Sequence, residues 1–209
     1  MTPKIIALEG VGGSGKSTLA APLAKALGAT LIKRPLAPPP EMHPDALRWW
    51  MLDDARACLD LAHKATAPYA ILDRHWLSAA IYQDAPSWPR PVAHYAAALG
   101  EPDLWVVLSA PAPEIIRRLR DRSADGRRHL DRPDRLDLIA GRIALYDDAR
   151  HHLRAPVIEA RLLPPQQPAS YARLEVRAPV GNGWMEPLSP EALADYLAET
   201  IRATLEGER

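Results

Sequence analysis

Thirteen residues near the start of the chain, LEGVGGSGKSTLA at 8–20, constrain its fold more than any other stretch. They contain Gly10-x-x-x-x-Gly15-Lys16-Ser17, preceded by a short apolar run, KIIALE at 4–9, and followed by a helical stripe of Leu19, Leu23 and Leu27 that Gly28 closes. A buried strand, a glycine-rich loop and a helix in that order form a phosphate cradle. The glycines allow the loop to turn its N–H groups inward, and the helix adds the positive end of its dipole. The loop residues Gly10, Gly12, Gly13, Ser14, Gly15, Lys16, Ser17 and Thr18 are therefore the candidate nucleotide site. In such a loop the lysine reaches the β- and γ-phosphates and the serine hydroxyl ligates Mg²⁺, which points to a nucleoside triphosphate as ligand.

Further strand and helix signals alternate along the chain. Residues 29–33 (ATLIK), 69–73 (YAILD), 103–109 (DLWVVLS) and 171–178 (YARLEVRA) read as strands. Helical patterns run from Asp45 to Leu61, from Ser78, over 91–99, from Pro113, over 136–153 and from Ser189-Pro190-Glu191 to the end. Pro22 lies inside the first helix and removes one of its hydrogen bonds. Strands that are apolar throughout and alternate with helices predict an α/β fold, a five-stranded parallel sheet covered by helices on both faces. Five prolines in 34–45 make a stiff loop, and four in 155–170 predict a surface excursion. With 209 residues the chain is expected to form a single domain.

Lys+Arg and Asp+Glu both number 26, so the chain as a whole lacks the basic excess of a general nucleic-acid binder. No run approaches the roughly 20 apolar residues of a membrane span, and the apolar run before Gly10 is too short for a secretory signal. A single cysteine, Cys58, allows no internal disulfide. A cytoplasmic location is the expectation. The histidines show no metal-ligand spacing.

A second constellation is ILDRHWLSAAIYQ at 71–83, in which Asp73 ends an apolar strand and so lies at the carboxyl edge of the sheet. A carboxylate there suits Mg²⁺ held through water, and Arg74 suits an acceptor phosphate. With these two motifs, the later PDLWVVLSAPAPEIIRRLRDR, and an LDR followed by a helix containing Tyr146, the chain resembles the thymidylate kinases over residues 4–150. The resemblance implies a P-loop NTPase fold, transfer of phosphate from Mg-ATP to dTMP, and a homodimer. It places Lys16, Ser17 and Thr18 in the nucleotide loop, Asp73 and Arg74 at the acceptor, and Ser78, Tyr82 and Gln83 in a pattern beside the acceptor's sugar and base. It also matches Arg34 to an arginine that grips the acceptor phosphate, and Arg56 to one that reaches the edge of the base. Two positions depart from the pattern. Gly12 stands where the resemblance implies an acidic side chain near the acceptor sugar, and Ala79 where it implies a polar contact with the base. Both changes remove acceptor contacts, so the acceptor extends to related deoxynucleoside monophosphates.

Of 21 arginines, 11 fall between Arg117 and Arg154. Arg117, Arg118, Arg120 and Arg122 read equally as a solvated helix face or as site residues, whereas Arg127, Arg128 and Arg132 flank the turn signal Asp125-Gly126 and predict a lid over about 120–135. Phosphoryl transfer needs positive charge around the moving group, and the loop offers Gly13 and Ser14 where an arginine would serve. Arg128 or Arg132 is the expected source. Two other readings stay open. A deoxynucleoside kinase needs a carboxylate base after the second strand, where this chain has Lys33-Arg34-Pro35 and, further on, Glu41. A nucleotide-binding protein without acceptor turnover is the third.

Overall fold

The first strand, β1 (Lys4–Glu9), is buried from its second residue on, and every strand between it and the sheet edges pairs outward from it. The computed structural model describes residues 2–33, 42–124, 136–163, 173–185 and 189–207. After β1 come α1 (Lys16–Leu27), β2 (Thr30–Lys33), α2 (Pro44–His63), β3 (Tyr69–Asp73), α3 (Trp76–Gln83) and α4 (Arg90–Leu99). Then follow β4 (Leu104–Ser109), α5 (Ala112–Ala124), α6 (Leu136–Ala149), β5 (Val157–Leu163), β6 (Arg173–Ala178), β7 (Gly181–Met185) and α7 (Pro190–Glu206). The sheet order is β2-β3-β1-β4-β5-β6-β7. β2, β3, β1, β4 and β5 are mutually parallel, and β6 and β7 join antiparallel.

The chain has the expected α/β P-loop fold with helices on both faces, but the sheet has seven strands rather than five. Residues 155–170, expected as a surface excursion, contain β5, the fifth parallel strand. Residues 171–178, expected as that strand, supply β6, which runs the other way. The physical reason is burial. Ile158 and Ala160 are fully buried while Glu159 and Arg161 face solvent or half-exposed space, so two charged residues interrupt β5 and it lacks a continuous apolar run.

Side-chain alternation sends one face of each strand to each layer. On one side Ile6, Leu8, Leu104, Val106, Leu108, Ile158 and Ala160 pack against Leu19 and Leu23 of α1 and Leu197 and Ile201 of α7. On the other, Ala7, Trp105 and Val107 pack under α3, α4, α5 and α6. Cys58 is buried with Ile5, Ile32 and Leu72 beneath α2. α1 runs through Pro22 without a break. Among the described residues no helix is long and apolar enough to cross a membrane.

Candidate active site

The loop between β1 and α1 is shaped by glycines that nothing else can replace. Gly10 has φ +134°, and a Cβ there would lie 2.0 Å from the carbonyl oxygen of Leu108 on β4. Gly15, at φ +105°, ends the loop as the N-cap of α1 and brings no capping side chain, so the first-turn N–H groups keep their capacity for an anion. Lys16 folds back across the loop. Its Nζ donates to the carbonyls of Gly10 and Val11, both at 2.8 Å, and to Ser14 Oγ at 3.2 Å. Gly12, Gly13, Gly15, Lys16 and Ser17 line one cleft together with Asp73 and Arg74.

Those last two residues come from the carboxyl end of β3, which lies beside β1 with Asp73 opposite Leu8. Arg74 takes the left-handed conformation, φ +78°, unusual for a residue with a side chain. It is held there by its backbone N–H on Leu8 O at 3.1 Å, and by Nη1, which donates to Gly10 O at 3.0 Å and Ser78 Oγ at 2.8 Å. Burial opposes the Arg74 charge, but Tyr146, Tyr82, Glu9 and Asp73 more than offset that penalty and hold the guanidinium above its usual range.

Glu9 is the hub beneath the cleft. Fully buried at the end of β1, it accepts from the backbone N–H of His75 at 2.7 Å and of Ser78 at 3.3 Å, so it caps α3. Ser78 Oγ donates to its other oxygen at 2.6 Å, and Tyr146 of α6 donates at 3.2 Å. Burial, reinforced by Glu9, pushes the Tyr146 phenol well above its usual range, so it remains a donor. One turn further along α3, the Tyr82 hydroxyl accepts from the Gly12 N–H at 3.1 Å, and the Arg142 guanidinium lies 4.0 Å from the Tyr82 ring centre. From α5, Arg118 Nη1 donates to Gly13 O at 3.3 Å while Glu114 holds its Nε at 2.7 Å.

The structure thus gathers Gly12, Gly13, Gly15, Lys16, Ser17, Asp73 and Arg74 in one cleft, with Ser78 and Tyr82 bonded to its wall. Gln83 turns toward α2 and meets Met51 Sδ at 3.7 Å. Thr18 is exposed on the first turn of α1, its backbone N–H closing onto Gly15 O at 3.0 Å. Arg56 is not brought to the cleft. It stands exposed on α2, 3.8 Å from Asp53. Ala79 is fully buried among apolar side chains. Arg34, Arg127, Arg128 and Arg132 lie outside the described residues. Sequence reasoning missed Glu9 and Arg142 and left Arg118 undecided. A carboxylate ending an apolar strand marked Asp73, and the same signal was present in Glu9.

A family model described as an AAA domain matches residues 5–137, more than half of the chain. The chain belongs to that family. The fold is shared by deoxyadenosine kinase from M. mycoides with bound dATP, 20% identical with a TM-score of 0.54 over 74% of this chain and 89% of that one. Thymidylate kinase from Candida albicans is 18% identical with a TM-score of 0.51, covering 77% of this chain and 84% of its own. The YorR protein from Bacillus subtilis, solved in complex with phosphorylated GDP, is 18% identical with a TM-score of 0.54 and covers 98% of both chains. No curated protein sequence matches the chain significantly. The chain therefore has an α/β P-loop fold, which deoxyadenosine kinase and thymidylate kinase share.

Proposed function

We propose that this protein is a kinase that transfers the γ-phosphate of ATP to a nucleoside monophosphate, dTMP or a related deoxynucleoside monophosphate. The observation that carries the proposal is Arg74. Its guanidinium stands in the same cleft as Lys16 and Ser17, tethered by Ser78 and Gly10 O, where an acceptor that already bears a phosphate needs a fixed cation. Lys16 would exchange its three loop oxygens for phosphate oxygens of the donor, and the loop N–H groups would hold the rest of the triphosphate. The Ser17 hydroxyl and the Asp73 carboxylate face the same space and are hard oxygen donors of the kind Mg²⁺ takes, with waters and phosphate oxygens completing the shell. Bound there, Mg²⁺ would neutralise charge on the transferring phosphates. A homodimer and a lid carrying Arg128 and Arg132 belong to the same proposal.

A deoxynucleoside kinase is the second reading, favoured by the fold shared with deoxyadenosine kinase. Its 5′-hydroxyl acceptor needs a carboxylate base. Glu9 is unsuited, because it is fully buried and committed to Ser78, Tyr146 and the α3 backbone. An ATP-consumption screen over nucleosides and nucleoside monophosphates decides between the two. Turnover with a deoxynucleoside monophosphate is the expected result, and turnover with free nucleosides alone would replace the first reading by the second. ATP binding with no acceptor turnover at all would leave a nucleotide-binding protein.

A further inference from the structure

Two side-chain contacts join α3 to α6, and their spacing is regular. Ser78 meets Tyr146 with 3.1 Å between hydroxyls, and Tyr82 meets Arg142 with 4.0 Å from guanidinium to ring centre. Ser78 and Tyr82 are four residues apart on α3, and Arg142 and Tyr146 are four apart on α6. The two helices therefore present one face each and run in opposite directions, with two rungs between them. Each rung ends on a different side of the phosphate loop. The Ser78–Tyr146 rung ends on Glu9, the last residue before the loop, through contacts of 2.6 and 3.2 Å. The Tyr82–Arg142 rung ends on Gly12 in the loop itself, through the bond of 3.1 Å from its N–H to the Tyr82 hydroxyl.

We infer that Arg142 is a positioning residue, acting through Tyr82 on the Gly12 amide, so that α6 sets the conformation of the phosphate loop. The inference deepens the proposed function, because Tyr82 is also a predicted acceptor contact. Of the two guanidiniums over the Tyr82 ring, Arg142 is the nearer, 4.0 Å from its centre against 5.7 Å for Arg74. A cation over a tyrosine face fixes the ring plane and so where the hydroxyl stands. The lower rung ends elsewhere: its carboxylate, Glu9, accepts from His75, Ser78 and Tyr146, whereas the Gly12 N–H donates to Tyr82. α6 begins at Leu136, directly after the arginine-rich segment, so any shift of that helix reaches Gly12 through one stacked pair and one hydrogen bond.

The test reads the Gly12 amide directly in nucleotide-free protein, by NMR-detected hydrogen exchange in wild type, Y82F, R142A, R142K and the double variant Y82F/R142A. Y82F keeps the ring under Arg142 and removes only the hydroxyl. Gly12 exchange should quicken about tenfold in Y82F, the scale of one lost hydrogen bond, and by a similar factor in R142A, with Gly15 unchanged. R142K, which retains a cation over the ring, should lie nearer wild type. The double variant should exchange no faster than Y82F, because both changes break one path. Unchanged Gly12 exchange in R142A would overturn the inference, as would R142A and Y82F effects that multiply. In the kinase assay R142A should raise the ATP KM, through the loop that cradles the triphosphate, as well as the acceptor KM, through Tyr82. If exchange at Gly12 responds as expected and no nucleoside monophosphate is phosphorylated by the wild type, the positioning role stands and the proposed function fails. If R142A melts well below wild type, the comparison of Y82F with wild type still tests the Gly12 contact, and R142K tests the cation.

Discussion

Lys16 is held by three oxygens of its own loop, at 2.8, 2.8 and 3.2 Å, which keeps an almost buried ammonium satisfied in the absence of phosphate. Its removal should leave the fold intact by circular dichroism and cut phosphoryl transfer by roughly 10²–10³-fold or more, the scale of losing one preorganised charge contact in a transition state. Near-normal turnover in Lys16→Ala would refute its role. Arg74 makes a different demand, because its left-handed backbone is maintained by the bonds of its own side chain to Gly10 O and Ser78 Oγ. Arg74→Ala should raise the acceptor KM about ten- to hundredfold, with a much smaller effect on the ATP KM, as expected for one charge-assisted hydrogen bond. Equal effects on both substrates in steady-state kinetics would mark Arg74 as a structural residue. Lys16 was legible from its glycine-rich loop, and Asp73 and Arg74 from their place at the end of an apolar strand on the sheet's carboxyl edge. Glu9 carried the same strand-end signal as Asp73, but its role as a hub was not legible, since its partners lie 66 to 137 residues away and only the fold brings them together. Arg117 and Arg118 were indistinguishable as neighbours in a charged run. Helix phase separates them, turning Arg117 to solvent and Arg118 to Gly13 O.

At the scale of elements, α3 carries Ser78 and Tyr82 beside the cleft and depends on the carboxylate at its N-terminus. Glu9 supplies the acceptor that a Ser or Asp cap would otherwise provide, from a different part of the chain. α5 and α6 bracket the arginine-rich segment, and Arg118 on the first and Arg142 on the second already bring positive charge to the loop. In the proposed mechanism Arg128 and Arg132 would complete that charge. Arg128→Ala or Arg132→Ala should bind ATP normally and lower kcat and kcat/KM together, by at least about a hundredfold, and lysine should not restore the rate. Wild-type kcat in both single variants and in the double variant would transfer that role to other cations. The strand order was partly legible. Four strands were found in place, all of them apolar or nearly so, because both their faces are covered. β6 alternates Leu174 and Val176 with Arg173, Glu175 and Arg177, which is the mark of a strand covered on one side, and reading it as parallel missed that meaning. β5 was missed because Glu159 and Arg161 interrupt its apolar run.

In the whole molecule the phosphate loop hangs from β1, third of seven strands, with β3 and β4 as parallel neighbours and helices on both faces. β7 is the outermost strand at the other end of the sheet, paired on one side only. Such positions differ in how they open. The amides of β1 can exchange only when the whole structure unfolds, while those at an edge exchange through local fraying. A nucleotide at about a hundred times its Kd adds about 2.7 kcal/mol to global stability. Exchange at Ile6, Ala7 and Leu8 should then slow about a hundredfold, while exchange along β7 scarcely changes. Equal slowing at β1 and β7 would contradict this picture. This interior strand therefore works as a gauge. It registers the full free energy of occupancy without touching the ligand, so affinities for candidate donors and acceptors can be ranked from three backbone amides before any reaction has been observed.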